Sequence, residues 1–252
     1  MLSIRIIPVL LLKNKGLVKT VQFKSPNYIG DPINAVKIFN EKEVDELIFL
    51  DITATKEKRK PNLDYLREIA TECFMPLGYG GGIRSLEDIR NILGTGIEKV
   101  IINSYAALEP LFIKEATNHF GSSTIVVSID YKKDILGRLR VYTEGGENKT
   151  NFHPIDFANL MCEYGAGELI INSINNDGTM KGYDIPFIKE ILKQTTVPVV
   201  ACGGAGKIEH IGQLVKETKI QSAAAGSMFI YQGKHKAVLI TYPSQKELSE
   251  NL

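Results

Sequence analysis

Short apolar runs rich in β-branched residues alternate with longer amphipathic stretches from one end of the chain to the other. The runs are Arg5–Leu11, Glu46–Asp51, Met75–Gly80, Val100–Asn103, Ile125–Asp130, Glu168–Ser173, Val197–Cys202 and Ser222–Gly226. Such runs read as strands buried on both faces, the mark of a parallel sheet. Between them lie helical patterns over Pro32–Val44, Leu63–Glu72, Leu86–Leu93, Leu108–His119, Ile155–Tyr164, Ile185–Gln194 and Ile208–Lys216. Start signals support them, such as Ser85 with Asp88 three residues on, and Asp184 before Ile185-Pro186. Strand and helix alternate with no composition break, which predicts a single (β/α)8 TIM barrel over residues 1–252.

The two halves repeat one another. Asp31-Pro32 matches His153-Pro154, Glu46-Leu47-Ile48 matches Glu168-Leu169-Ile170, Pro76 matches Pro198, and Gly81-Gly82 matches Gly203-Gly204. Every pair is 122 positions apart. The spacing points to a duplicated half-barrel, about 1–122 and 123–243, with two similar sites facing each other across the C-terminal mouth.

Composition narrows the function classes. Thirty basic residues against 29 acidic give a net charge of +1, with 44% hydrophobic residues. This is the make-up of a folded globular chain, without the basic footprint expected of a nucleic-acid or anionic-membrane binder. Cys73, Cys162 and Cys202 are too few and too far apart for a disulfide framework or a zinc site, which fits a reducing compartment. The apolar run Ile6–Leu12 is too short for a signal peptide or a membrane span, so a cytoplasmic protein is expected. His119, His153, His210 and His235 show no ligand spacing and read as surface or packing residues. Neither a metal site nor a cofactor motif is evident.

Two glycine-rich turns follow strands 3 and 7, at Gly80-Gly81-Gly82 and Gly203-Gly204-Ala205-Gly206. Each is echoed after the next strand by a small polar pair, Asn103-Ser104 and Gly226-Ser227. Glycine turns of this kind either cradle an anion on backbone N–H groups or only allow tight βα turns. The repeat, with its partner pairs, favours phosphate binding and hence a phosphorylated small-molecule ligand. Asp51, Asp130 and Asp177 fall at or beyond strand C-termini, where barrel chemistry is done, although a carboxylate there also serves as a cap or loop anchor. Arg5, Glu46, Lys99 and Glu168 stand at the opposite ends of strands 1, 2, 4 and 6, as a salt-bridge ring closing the floor would.

These motifs together resemble the cyclase subunit of imidazole glycerol phosphate synthase. The resemblance is carried by Arg5-Ile6-Ile7-Pro8, Asp45 through Thr53, Gly80 through Ser85, Lys99 through Ser104, Asp177-Gly178-Thr179 with Gly182-Tyr183-Asp184, and Gly203 through Gly206. It implies a lyase barrel that receives ammonia from a glutaminase subunit in a heterodimer. It further implies that Arg5, Glu46, Lys99 and Glu168 form an ammonia gate and that Glu98 helps to dock the glutaminase. Lys19, with the phosphate-loop positions, is implied to contact substrate, which keeps a doubly anionic ligand in view.

The departures from that pattern are informative. The resemblance implies a catalytic aspartate pair, a base on strand 1 and an acid on strand 5. The acid is present as Asp130, but the base position holds Leu11. Losing a general base typically costs about 10²- to 10⁴-fold in rate. After strand 6, Asn172 and Asn175 replace a threonine and a carboxylate of the family pattern, removing negative charge beside the expected reaction centre. The tail Lys236–Pro243 lacks the usual final amphipathic helix and is similar to paralogues associated with amidation of bacterial surface sugars. Those work with a glutaminase homologue and a separate ammonia-using synthetase. The expectation is an ammonia-channelling barrel, with two alternatives: a cyclase using a replacement base, or a scaffold that only activates a glutaminase.

Overall fold

In a computed structural model the structure describes residues 4–233 and 235–251, so residues 1–3, 234 and 252 of the expected domain lie outside it. Eight parallel strands form the wall: β1 (Arg5–Lys13), β2 (Leu47–Asp51), β3 (Leu77–Gly80), β4 (Lys99–Ile102), β5 (Ile125–Lys133), β6 (Glu168–Ser173), β7 (Val199–Cys202) and β8 (Ser222–Ala225). Each pairs with its neighbour in chain order, from Val9 opposite Ile48 between β1 and β2 to Ala201 opposite Ala223 between β7 and β8. The barrel closes where β1 lies beside β8, with Arg5 opposite Ser222.

The outer ring is α1 (Pro32–Glu41), α2 (Leu63–Glu72), α3 (Leu86–Leu93), α4 (Leu111–Phe120), α5 (Pro154–Glu163), α6 (Ile185–Leu192), α7 (Ile208–Thr218) and α8 (Gln245–Asn251). Their starts are capped locally. The Ser85 hydroxyl accepts the Asp88 N–H at 3.1 Å, while the Asp88 carboxylate accepts the Arg84 N–H at 3.0 Å. The repeat-matched Asp31 and His153 both cap helices whose first residue is proline, the partly exposed His153 accepting the Ile155 N–H.

Strand alternation divides the core. On β1, Ile6, Leu10 and Leu12 pack outward among the helices. Ile7 and Val9 turn into the lumen with Ile48, Ile101, Val126, Ile170, Val200 and Ala224. Gly78 leaves a notch that Ile101 fills, its Cδ1 lying 2.9 Å from where a Cβ would stand. The lumen is therefore lined by hydrocarbon between a charged floor and a polar mouth.

Three features differ from the sequence expectation. The stretch after β1, outside every expected run, is a hairpin, Gly16–Val21 against Lys24–Gly30. The β5 strand also runs beyond the barrel to pair with Leu139–Thr143. Both excursions rise on the mouth side. Finally, the tail does end in a helix, α8, placed beyond Pro243. Ser244 and Glu247 form a reciprocal capping pair at its start, and Leu248 packs on the core. Among the described residues no helix is long and apolar enough to cross a membrane.

Candidate functional site

At the C-terminal ends of the strands lies a cavity of about 490 Å³, lined by Leu11, Asp51, Gly81, Gly82, Asn103, Ser104, Asp130, Asn172, Asp177, Gly178, Gly203, Gly204, Gly226, Ser227 and Lys19. Every mouth residue expected from the sequence is thus on one surface. The shape of that surface follows from its glycines. At Gly81 (φ +128°) a Cβ would stand 2.6 Å from the Asp51 carbonyl oxygen, and at Gly203 (φ +90°) 2.7 Å from that of Ser173. Only glycine allows these turns to fold against the preceding strand.

Asp130 stands in the wall of the cavity. Its carboxylate accepts hydrogen bonds from Asn172 Nδ2 (3.0 Å), Asn103 Nδ2 (3.2 Å) and the Ser128 hydroxyl (3.5 Å). Its deep setting is the largest influence and pushes its pKa up, the Asn172 hydrogen bond opposes that, and the Asp177 charge adds to it; the result is about 7. A carboxyl group held there exchanges a proton readily at neutral pH, as a general acid must. No carboxylate faces it from β1, where Leu11 occupies the mouth-side lumen position.

Of the two amides Asn172 and Asn175, the first stands against Asp130, whereas the second is exposed. Asp51 has a different fate from Asp130. It accepts the N–H groups of Thr53 and Ala54 and pairs with Arg59 at 3.2 Å, so its carboxylate anchors the β2–α2 loop. Arg59 is a partner that sequence reading missed, because only the loop's path brings it back to β2. The β7 turn has a similar support, since His210 Nδ1 accepts the Gly206 N–H at 3.1 Å.

Lys19 rises from the β1 hairpin into the cavity wall, 5% exposed, and pairs with Asp177 at 3.1 Å. Its stem lies against Gly226, where a Cβ would come within 3.3 Å of Lys19 Cε. The hydroxyl of Ser227, next in the chain to Gly226, is buried without a partner. On the other side of the mouth, the Ser104 hydroxyl donates to Asn103 Oδ1 and accepts the Glu144 N–H. Cys202 sits low on the cavity wall, where burial pushes its thiol up to about 12. Among the described residues no group of three His, Cys, Asp or Glu side chains is placed to hold a metal ion.

At the opposite end, the four floor charges close into a ring. Arg5 pairs with Glu46 at 2.8 Å and with Glu168, while Lys99 pairs with Glu46 at 2.9 Å and Glu168 at 3.2 Å. Ser222 on β8 steadies Arg5, accepting from its guanidinium at 3.0 Å. The acids are buried and the cations partly exposed, and Glu46 Oε1 is buried without a partner. Glu98 is exposed on the floor beside Lys99.

Comparison with known proteins agrees with this geometry. The family model described as histidine biosynthesis protein matches residues 5–236. A Pseudomonas aeruginosa protein provisionally named imidazole glycerol phosphate synthase subunit hisF2 is 48% identical over 244 residues, 97% of each chain. One from Leptospira borgpetersenii, provisionally named subunit HisF, is 50% identical over 245 residues, 97% of this chain and 96% of its own. The Bacillus cereus imidazole glycerol phosphate synthase subunit HisF is 42% identical over 231 residues, 92% of each. The chain belongs to the histidine biosynthesis protein family, as a divergent barrel of the HisF type.

Proposed function

We propose that this barrel receives ammonia at its floor from a docked glutaminase subunit and delivers it at the mouth for amidation of a sugar in surface-polysaccharide biosynthesis. A separate synthetase carries out the final chemistry. The observation that carries this reading is the complete ring of Arg5, Glu46, Lys99 and Glu168 in a barrel whose β1 base position holds Leu11. The gate positions of the family are filled while half of its proton-transfer pair is missing.

The chemistry of the path supports passage of neutral ammonia. Arg5 and Lys99 are the more exposed members of the ring. Glu46 Oε1 offers an unpaired acceptor to an N–H donor beneath the lumen. Above it, the hydrocarbon lining from Ile7 to Ala224 penalises ammonium far more than ammonia, because an unpaired charge loses its hydration there. At the upper end Asn172 Oδ1 offers a second unpaired acceptor.

A second reading, a true cyclase with a replacement base, is favoured by Asp130, whose pKa near 7 suits an acid. Incubating the purified chain with the ribulosyl substrate of histidine biosynthesis and ammonium salt separates the two. The channel reading expects turnover reduced by at least about 10²-fold from that of family cyclases with both aspartates. Turnover at the level of those cyclases would overturn it.

A further inference from the structure

The hairpin that carries β5 beyond the barrel ends in a turn built by two of its residues. The Asp134 carboxylate accepts the Leu136 and Arg138 N–H groups at 2.9 and 3.0 Å, and Gly137 takes a left-handed backbone (φ +76°). Between them Ile135 and Leu136 are 99% and 68% exposed, side by side at the apex. Positions that turns ordinarily give to polar residues thus hold two adjacent aliphatic side chains, and neither belongs to the apolar core. The fold does not need them there.

Below the apex lies a collar of cations that the net charge of +1 conceals. Lys132 and Arg140 stand directly opposite one another across the hairpin, a like-charge pairing that works against it. Lys132 donates to the Gly146 carbonyl and Arg140 to the Leu139 carbonyl, so neither charge is neutralised. Lys133 and Lys149 add exposed amines. Burial, and after it the charge of Lys24 on the β1 hairpin, hold the Lys132 amine below its usual pKa range. Among the described residues the carboxylate paired with this group is that of Asp134, enclosed in the turn and engaged by Arg138 and Lys149.

We propose that this tip seats the barrel on an anionic lipid surface, with Ile135 and Leu136 at the acyl boundary and the cations among the headgroups. Two features favour lipid over an acidic protein. The apex is a projecting wedge of two side chains, far short of the roughly 800 Å² that each partner buries in a stable protein interface. Its polar groups are also largely satisfied from within: Asp134 N–H donates to the Arg138 carbonyl, Gly137 N–H to that of Asp134, and the acid is spent on the turn. Entry into a layer poor in water therefore strands few of them. Because the hairpin rises on the mouth side, the seated barrel turns its cavity toward the lipid and leaves the floor ring free. Lipid seating neither needs nor tests the passage of ammonia.

The test sediments the full chain with vesicles of phosphatidylcholine and phosphatidylglycerol in equal parts, and with vesicles of phosphatidylcholine alone. Binding is expected to the first only. It should weaken at least tenfold in Lys133→Ala/Arg140→Ala, at about fivefold for each cation near the surface. Ile135→Ser/Leu136→Ser should cost at least tenfold as well, with a melting temperature matching the wild type to show that each variant is folded. The chain contains no tryptophan, so Leu136→Trp supplies a single reporter. Its emission should shift to the blue on the anionic vesicles and be quenched by lipids brominated on the acyl chain. No sedimentation with the anionic vesicles, equal sedimentation with both kinds, or binding that ignores the Ile135 and Leu136 substitutions would overturn the proposal. So would a tryptophan that stays in water while the chain binds. A blue shift produced by polyglutamate but not by vesicles would also overturn it, and would assign the tip to an acidic protein.

Discussion

Asp130→Asn removes an ionisable group from the cavity wall, and its effect on stability can be worked from the structure. Burial raises the carboxyl from its ordinary 3.8 to about 7. Between those values the folded chain keeps a proton that the unfolded chain releases, so wild-type stability falls as pH rises through the window and levels off above it. The full difference corresponds to about 4 kcal/mol at 1.36 kcal/mol per pH unit, and it is an upper bound because one face of the group opens onto the cavity. The amide introduces little new cost. Asn172 has a free Oδ1, so turning its amide lets it accept from the new side chain while Asn103 continues to donate. Urea unfolding of both proteins from pH 4 to pH 8 should show the variant gaining roughly 2–4 kcal/mol relative to wild type as pH rises. Other titrating groups cancel in that difference. A gap that stays constant within about 0.5 kcal/mol would refute the reasoning, and with it the description of Asp130 as an acid poised near neutrality.

Three other outcomes are expected. Leu11→Asp places a carboxylate opposite Asp130 and should raise cyclase turnover by about 10²-fold or more if the base alone is missing; a flat result in a steady-state assay would show the cavity altered further. Gly81→Ala forces a Cβ to 2.6 Å from the Asp51 carbonyl oxygen at positive φ and should cost roughly 2–4 kcal/mol in a chemical melt, whereas a loss below about 1 kcal/mol would show the turn to be pliable. Cys202, with its thiol near 12, should be alkylated at pH 8 about 10³-fold more slowly in the folded than in the unfolded chain; mass-spectrometric mapping within tenfold of the unfolded rate would contradict its buried setting.

The barrel was legible because its signals are local. Apolar runs such as Glu168–Ser173 fix strands, and Ser85 with Asp88 or Asp184 with Pro186 fixes helix starts. The floor ring was legible as four charges at strand beginnings, and its pairing follows once the strands are placed in order around a closed wall. Other features depend on encounters that spacing does not encode. Asp51 and Asp130 look alike as strand-end carboxylates, yet one is taken up by Arg59 on a returning loop and the other is held between Asn103 and Asn172 from neighbouring strands. Ser104 and Ser227 differ because the turn after the returning strand Leu139–Thr143 delivers the Glu144 N–H to Ser104, while Ser227 is left without a partner. The terminal helix did leave a signal, Ser244-x-x-Glu247, but it lies beyond the proline that marks the end of the expected tail.

The central claim is that ammonia passes through the floor ring, and isotope dilution tests it most directly. The complex of this chain with its glutaminase and the ammonia-using enzyme is supplied with glutamine labelled by ¹⁵N at the amide, in excess unlabelled ammonium. Passage through the barrel predicts product that keeps its label with the wild-type ring and loses most of it with Lys99→Ala, while glutamine hydrolysis continues. Label diluted in the wild type, or equally retained whatever residue replaces Lys99, would contradict the account.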